Sequence, residues 1–474
     1  MSWLWTKDDA VAATGGNALG VWLGFSGLSI DTRELEAGDL FVALAGDNRD
    51  GHAFVGQALA AGAGAALVTH RPDGVPADAP LLVVTDTLKA LEALAAAARA
   101  RMNGKVIGVT GSVGKTSTKE MLRTMLAAQG RTHAAVRSFN NHWGVPLTLA
   151  RMPADTDYAV IEIGMNHPGE ITLLSRLARP HVALITTVAA VHLEAFGSVD
   201  EIADAKAEIF AGLEPDGVAV INVDIPTTGR LRAAAPGPVR SFGSKSADGQ
   251  LVKTRLCAEA TVGRALIDGE AMCFKIGAPG AHFALNAVGA LLAVQAAGAD
   301  IARAALALST WTAVDGRGAR TIIDIGPAGT DGAIAVLDES YNANPASVSA
   351  ALAVLAATET KGRRHAYLGD MLELGPTEMG LHADLAQHPA VENIDQIHCC
   401  GPRMKALYEA LPKARRGLYA PASAELAAVA AGPVRPGDIC MIKGSLGAKM
   451  APVVAALKAL GTPRRAGDGA QDED

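Results

Sequence analysis

A β-branched run that ends in a glycine-bracketed lysine constrains this chain more than any other feature. Lys105–Thr110 reads KVIGVT and is followed at once by Gly111-Ser112-Val113-Gly114-Lys115-Thr116-Ser117. Apolar residues without alternation predict a strand buried on both faces. The residues from Lys115 onward predict a helix. A strand that passes to a helix through a glycine-rich turn aims backbone N–H groups at an anion, and the helix N-terminus adds partial positive charge. Lys115 would reach the β- and γ-phosphates of a nucleotide, and the Thr116 hydroxyl would ligate Mg²⁺. The turn departs from the strict Walker pattern, because Val109 occupies the first glycine position. Such a loop serves a kinase, a GTPase or an ATP-driven ligase. A GTPase should add an Asn-Lys-x-Asp string, and Asn222-Val223-Asp224 lacks both the lysine and the spacing.

The surrounding pattern predicts an α/β chain. Strand-like runs YAVIEIG, VALITT and GVAVINVD follow the loop. A second series begins at about 319 with AIAVLDES, HAYLGD, QIHCCG, GLYAP and DICMIKGS, separated by helical stretches such as Ala346–Ala357 and Leu446–Leu460. Strand–helix alternation implies parallel sheets with right-handed crossovers. Before the loop stand short runs such as DLFVAL and AALVTH and an alanine-rich helix over Leu88–Met102. A length of 474 residues corresponds to about three domains. The expected division is 1–103, a central P-loop ATPase-like parallel sheet over 104–318, a Rossmann-like domain over 319–461, and a disordered acidic tail over 462–474.

Charge and cysteine usage exclude several classes. A net charge of −7 and 4% aromatic residues suit neither a general nucleic-acid binder nor a stacking platform for single strands. Five scattered cysteines without a CxxC exclude a disulfide framework and a zinc ribbon. The N-terminus lacks a signal-peptide pattern, and no run of about 18 apolar residues predicts a membrane span. The expectation is a cytoplasmic monomer in a reducing compartment.

Mg²⁺ on nucleotide phosphates needs hard oxygen ligands near the loop. Glu162 ends the run VIEIG, where ligands of open α/β sheets sit, and on spacing alone it reads equally as a strand-end cap. His192 lies in the loop after VALITT, and an isolated histidine is more often structural than a ligand. Lys206, in DEIADAKAEIF, reads first as a solvated helix lysine.

Taken together, these strings resemble the Mur ligase family, the ATP-dependent amide-forming ligases of peptidoglycan synthesis, over nearly the whole chain. Leu28-Ser29-Ile30-Asp31-Thr32-Arg33, Gly38–Leu44 and Asp50-Gly51-His52 resemble that family's uridine-nucleotide-binding domain, which implies substrate roles for Ser29, Thr32, Arg33 and Asp50. TGSVGKTS is similar to the family's own phosphate loop. Phe139-Asn140-Asn141-His142-Trp143 resembles the loop that faces the muramoyl substrate. The resemblance places Glu162, His192 and Lys206 with Thr116 at magnesium, and implies that Lys206 is carbamoylated as in several members. Asp315-Gly316-Arg317-Gly318 resembles the arginine segment between the second and third domains. Asp338–Pro345 (DESYNANP) and Leu368–Gly375 (LGDMLELG) resemble strings of the branch that adds D-alanyl-D-alanine to UDP-N-acetylmuramoyl-tripeptide, and the DNPR-like string of the diaminopimelate- or lysine-adding branch is missing. In Gly280–Asn286, Phe283 replaces the first of two asparagines, and Asn286 keeps the second.

The resemblance implies ATP and Mg²⁺ as cofactors and an acyl-phosphate route to the amide. Lys115 and Arg317 would contact the phosphoryl group. Asp338, Asn286 and Asn342 would hold the nucleotide. Asn344, Asp370, Glu373 and Lys443 would face the dipeptide. Read without the family, Arg317 is a hinge arginine, Asp338 a strand-end cap, Asn342 and Asn344 turn residues before Pro345, Asp370 and Glu373 a solvated helix start, and Lys443 a surface turn lysine.

Overall fold

The computed structural model describes residues 3–46, 49–191, 193–257, 259–326 and 332–464. His192 therefore lies outside the described residues, as does the expected tail from 465 onward.

The run Lys105–Thr110 is the hub of a nine-stranded sheet. Its neighbours are Val182–Ile185 on one side and Tyr158–Glu162 on the other, both parallel to it. The first chain excursion leads outward through Thr132–Ala134 and back to Tyr158–Glu162. Later excursions lead the other way, through Val182–Ile185, Val218–Asn222 and Val239–Gly243. The strand order thus reverses at Lys105–Thr110, and the crevice beyond its carboxyl end is where α/β sheets bind ligands. An antiparallel meander (Gly249–Leu256, Thr261–Ile267, Glu270–Ile276) finishes the sheet.

The uninterrupted apolar run has a simple cause. Val106 packs into the core on one face and Ile107 and Val109 into the core on the other. Helices Lys115–Ala127 and Ala281–Ala296 cover the second face, and Glu170–Ala178 and Val199–Ala207 cover the first. With both faces dry, each Val or Ile side chain contributes roughly 1.5–3 kcal/mol of burial, and alternation would cost stability.

The N-terminal region forms a five-stranded sheet, mostly parallel, ordered Asn17–Leu19, Leu81–Val83, Ala65–Val68, Asp39–Val42, Gly27–Ser29. It is fixed to the central sheet through the helix Gly144–Ala150. Trp5 Nε1 donates to Ala150 O over 2.9 Å, and Arg151 Nε donates to Leu28 O over 2.7 Å. The third sheet has seven strands. Arg416–Ala420, Gln396–Cys400, Arg364–Gly369, Ile439–Lys443 and Ala333–Glu339 run parallel, and Ala319–Asp324 then pairs antiparallel. Thr462–Pro463 adds an antiparallel strand beside Ile323 and Asp324. This corrects the expected tail boundary. Thr462 and Pro463, both exposed, extend the open sheet edge, and Arg464 reinforces the pairing by donating to Asp324 Oδ1 over 2.8 Å.

Candidate active site

A cavity of about 530 Å³ opens at the reversal point of the central sheet and extends to the carboxyl ends of the third sheet. Its walls include Ser112–Lys115, Asn140, Glu162 and Asn286 from the central part. Arg317, Glu339, Asn342, Asn344, Glu373 and Lys443 close it from the other side.

The phosphate loop is shaped by two glycines in backbone conformations that side chains rarely adopt, Gly111 at φ +147° and Gly114 at φ +86°. A Cβ at Gly114 would come within 2.7 Å of Asn286 Nδ2. The loop is braced from the side by the turn after Val182–Ile185. Thr186 Oγ1 donates to Val113 O (2.6 Å), Ser112 N donates to Thr187 O (2.8 Å), and Ser112 Oγ exchanges hydrogen bonds with the Ala189 backbone. Lys115 opens the helix, and its Nζ donates to Gly111 O over 2.7 Å. Burial lowers the Lys115 pKa, the Glu162 carboxylate opposes that shift, and the Arg317 guanidinium adds to it.

Behind the loop, hard oxygens converge. Thr116 Oγ1 lies 3.0 and 2.9 Å from the two oxygens of Glu162, and both residues are buried. Asn140 Nδ2 donates to Glu162 Oε1 over 2.8 Å. Ser138 Oγ lies 3.0 Å from Thr116 Oγ1 and accepts from Arg317 Nη2 over 2.9 Å. Among the described residues no three His, Cys, Asp or Glu side chains cluster as a self-sufficient metal cage. A hydroxyl and one carboxylate suit a cation held mainly by substrate phosphates and water.

Lys206 is buried in the helix Val199–Ala207, with 1% of its surface exposed. No described group gives its ammonium a hydrogen bond or ion pair. Burial drives its pKa well below the usual lysine value, and the nearby charge of Lys115 lowers it further.

The C-terminal wall is built at strand ends. Glu339 and Lys443 end neighbouring parallel strands in register, and Lys443 Nζ lies 3.3 Å from Glu339 Oε2 while donating to Asn342 O over 2.9 Å. Lys443 is thus a buried, paired cation rather than a surface turn lysine. Asn344 caps the helix Pro345–Ala357 through a capping box with Ser347, so its side-chain oxygen is engaged although it borders the cavity.

Several expected site residues stand elsewhere. Asp338 does not line the cavity, and its carboxylate accepts from Ser340 N and Oγ. Strand alternation presents Glu339 to the cavity instead. Asp370 is buried and accepts from Met404 N over 2.7 Å at the start of the helix Met404–Ala410. Ser29, Thr32, Arg33 and Asp50 lie outside the cavity in the N-terminal region, Ser29 at the end of a sheet strand and the others in turns. There Ser29 Oγ donates to Asp31 O, Arg33 pairs with Asp31, and Asp50 caps the turn at His52. The Arg33 hydrogen bond holds the Asp31 carboxyl at about 2.

Three family models match this chain: Mur ligase family, catalytic domain, over 24–99; Mur ligase middle domain over 109–294; and Mur ligase, glutamate ligase domain, over 328–446. Together they cover most of the sequence. The chain belongs to the Mur ligase family. Among its relatives is the UDP-N-acetylmuramoyl-tripeptide–D-alanyl-D-alanine ligase of Bacillus subtilis, 36% identical over 91% of this chain and 93% of that protein. The ligase of the same name from Escherichia coli is 35% identical over 83% of this chain and 85% of its own length. The crystal structure of MurF from Acinetobacter baumannii superposes with a TM-score of 0.82 at 30% identity, covering 96% of this chain and 99% of the other.

In this Mur ligase the sequence passed over three residues: Glu339 and Tyr341, which line the cavity, and Ser138, which bonds to Thr116 and Arg317. Ser138 is hidden just before the asparagines of Phe139–Trp143. Glu339 and Tyr341 stand inside the string that nominated Asp338 and Asn342. Tyr341 lies under Arg317, with the guanidinium carbon 3.9 Å from its ring centroid. The strand period would have found Glu339, whereas Ser138 left no signal.

Proposed function

We propose that this chain is an ATP-dependent ligase that joins D-alanyl-D-alanine to UDP-N-acetylmuramoyl-tripeptide. One observation carries the reading: the phosphate loop, Glu162 with Thr116 bonded behind it, and the strand ends at Glu339 and Lys443 converge on one cavity. Relatives of that name at 35–36% identity support the choice of substrates.

The chemistry follows from the leaving group. A carboxylate does not condense with an amine at neutral pH, because hydroxide leaves poorly. Transfer of the γ-phosphoryl group of ATP to the tripeptide carboxylate releases ADP and forms an acyl phosphate. The dipeptide amine then attacks the acyl carbon, a tetrahedral intermediate forms, and phosphate departs as the amide closes. The enzyme's part is positioning and charge neutralisation. Backbone N–H groups of Gly111–Lys115 cradle phosphate oxygens. Lys115 and Arg317 neutralise the transferring group. Asn286 abuts the loop and orients the nucleotide, with Asn342 at the cavity wall. Lys443, Asn344 and Glu373 stand where the dipeptide enters, and Asn140 and Asn141 face the muramoyl side. Ser29, Thr32, Arg33 and Asp50 form the nucleotide-sugar side in the N-terminal region.

Thr116 and Glu162 fit Mg²⁺, and His192 and a carbamoylated Lys206 complete its protein surroundings in this reading. When bound, Mg²⁺ withdraws charge from the phosphate oxygens. The chain's own contribution to the carbamate is the burial of Lys206, which lowers its pKa and so favours the neutral, nucleophilic amine. Its nitrogen lone pair adds to the carbon of CO₂ and one N–H proton leaves, so the neutral amine becomes an anionic carbamate.

The test is ATP-dependent phosphate release with UDP-N-acetylmuramoyl-tripeptide and a panel of amines. Stimulation by D-alanyl-D-alanine alone is the expected result. Stimulation by glutamate instead, or by no amine, would overturn the assignment.

A further inference from the structure

Ser138 occupies a position that donor arithmetic makes directional. Glu162 offers only acceptor oxygens to Thr116, so the single Thr116 hydroxyl proton points to the carboxylate. The 3.0 Å contact between Ser138 Oγ and Thr116 Oγ1 then requires Ser138 to donate. Arg317 has only donors, so Ser138 Oγ accepts from Nη2. The chain of donation runs Arg317 → Ser138 → Thr116 → Glu162. It links the segment that joins the central and C-terminal sheets to the hydroxyl and carboxylate beside the phosphate loop.

Ser138 is itself held in place from below. Lys119, one turn along the helix that follows the loop, has none of its side-chain surface exposed. Its Nζ lies 2.7 Å from Glu120 Oε1 and donates to Ala135 O over 2.6 Å and Arg137 O over 3.3 Å. All three ammonium donors are used, two of them on the backbone that leads into Ser138. A buried cation so engaged fixes that backbone, because releasing the buried Ala135 carbonyl would strand it, and the ammonium, away from water.

We infer that Ser138 is a positioning residue, seated by Lys119, that orients the Thr116 hydroxyl for the metal–nucleotide complex and ties that orientation to Arg317. The inference rests on the ligase reading, in which Thr116 and Glu162 serve Mg²⁺. Ser138 differs from those two in touching no phosphate or metal directly. Its effect is on how readily Mg²⁺ and nucleotide bind together.

The experiment measures ADP binding by calorimetry across a Mg²⁺ series, with steady-state kinetics alongside, for wild type, Ser138→Ala, Ser138→Thr and the double variant Lys119→Met/Glu120→Met. Removing the Ser138 hydroxyl should raise the Mg²⁺ concentration for half-maximal ADP binding about fivefold, the equivalent of about 1 kcal/mol for one hydrogen bond. The melting temperature and the KM for the UDP-sugar should stay at wild-type values. Threonine keeps the hydroxyl and should restore the Mg²⁺ response. The double variant removes the buried ion pair as a unit, which cores tolerate better than a lone charge, and should show the same Mg²⁺ shift as Ser138→Ala. Wild-type Mg²⁺ dependence in Ser138→Ala overturns the inference whether or not the double variant folds. Absence of ADP binding by the wild-type protein would instead overturn the ligase reading on which it rests.

Discussion

The guanidinium of Arg317 lies flat over the ring of Tyr341, 3.9 Å from carbon to centroid. Arg317 precedes the third sheet and Tyr341 follows its strand Ala333–Glu339, yet Gly316 O accepts from Tyr341 N and brings them together. Gly316 takes φ +74° with Tyr341 Cβ only 3.0 Å from where its own Cβ would stand, so glycine is needed for the approach. A stack on a partly exposed ring is worth about 0.5–1 kcal/mol. Tyr341→Ala should therefore lower kcat/KM about two- to fivefold, with Tyr341→Phe close to wild type. Equal losses in both variants would assign the effect to the phenol hydroxyl and refute the stack.

Lys115 is the cation that the loop delivers to the cavity. Its replacement by alanine removes one hydrogen bond to Gly111 O and leaves the helix N-terminus and the bracing by Ser112 and Thr186 intact. Turnover should fall by more than about 10³-fold, the scale of losing a group that stabilises transition-state charge. The circular dichroism spectrum and melting temperature should change little. A Lys115→Ala enzyme with normal turnover would remove the phosphate-loop assignment.

Backbone-driven features of this molecule were readable from the residues, and features set by which side chains meet across the chain were not. Lys105–Thr110 is a strand at the bounds that its apolar run implies, because both faces are covered from Val106 onward and Val106, Ile107 and Val109 fill the cores on either side. The loop after it was legible because its glycines and its helix start are local. Lys206 is the opposite case. Its helix was expected, but charged neighbours such as Glu201 and Asp204 suggested a solvated lysine, and only tertiary packing turns that face inward. Asp338 and Glu339 differ by one residue, so a string match could not choose between them, whereas the strand period does. Ser138 depends on four segments meeting, which no local pattern encodes.

The third sheet contains a chain of buried imidazoles that predicts acid sensitivity. Leu418 N donates to His398 Nδ1, which leaves the other ring nitrogen to donate to His365 Nδ1 over 3.1 Å. His365 Nε2 in turn donates to Asp438 Oδ2 over 3.0 Å. Both rings are thus fixed as neutral tautomers. Burial, with the repulsion a second proton would meet from a protonated His365 and the charge of Arg363, holds His398 down to about 3, and burial lowers His365 despite Asp438 beside it. The unfolded chain takes up a proton near 6.5 and the folded chain refuses it until about 3, so the stabilising contribution is complete above 6.5. It is lost as pH falls from 6.5 toward 3, at up to ~1.4 kcal/mol per pH unit for His398, and the lowered His365 acts in the same direction. Hydrogen exchange of Arg364–Gly369 and Gln396–Cys400, corrected for intrinsic rates, should show weaker protection at pH 5.0 than at pH 7.5. Equal protection at the two values would refute the prediction.

Lys206 supplies the last prediction. An ammonium with 1% exposure and no described partner is costly, and loss of its proton relieves that cost. The neutral amine is the form that adds CO₂, and the resulting carbamate could accept hydrogen bonds and complement a metal where a cation could not. Protein equilibrated with ¹³C-bicarbonate should therefore show a single carbamate carbon resonance that Lys206→Met lacks. Turnover of Lys206→Met should fall about 10²-fold or more, and Lys206→Ala should recover part of it when a short-chain carboxylic acid is added to occupy the vacated space. Lys206→Arg should not recover, because a guanidinium keeps its charge and forms no carbamate. A Lys206→Met enzyme with wild-type turnover, or a wild-type spectrum without the resonance, would each count against the carbamate.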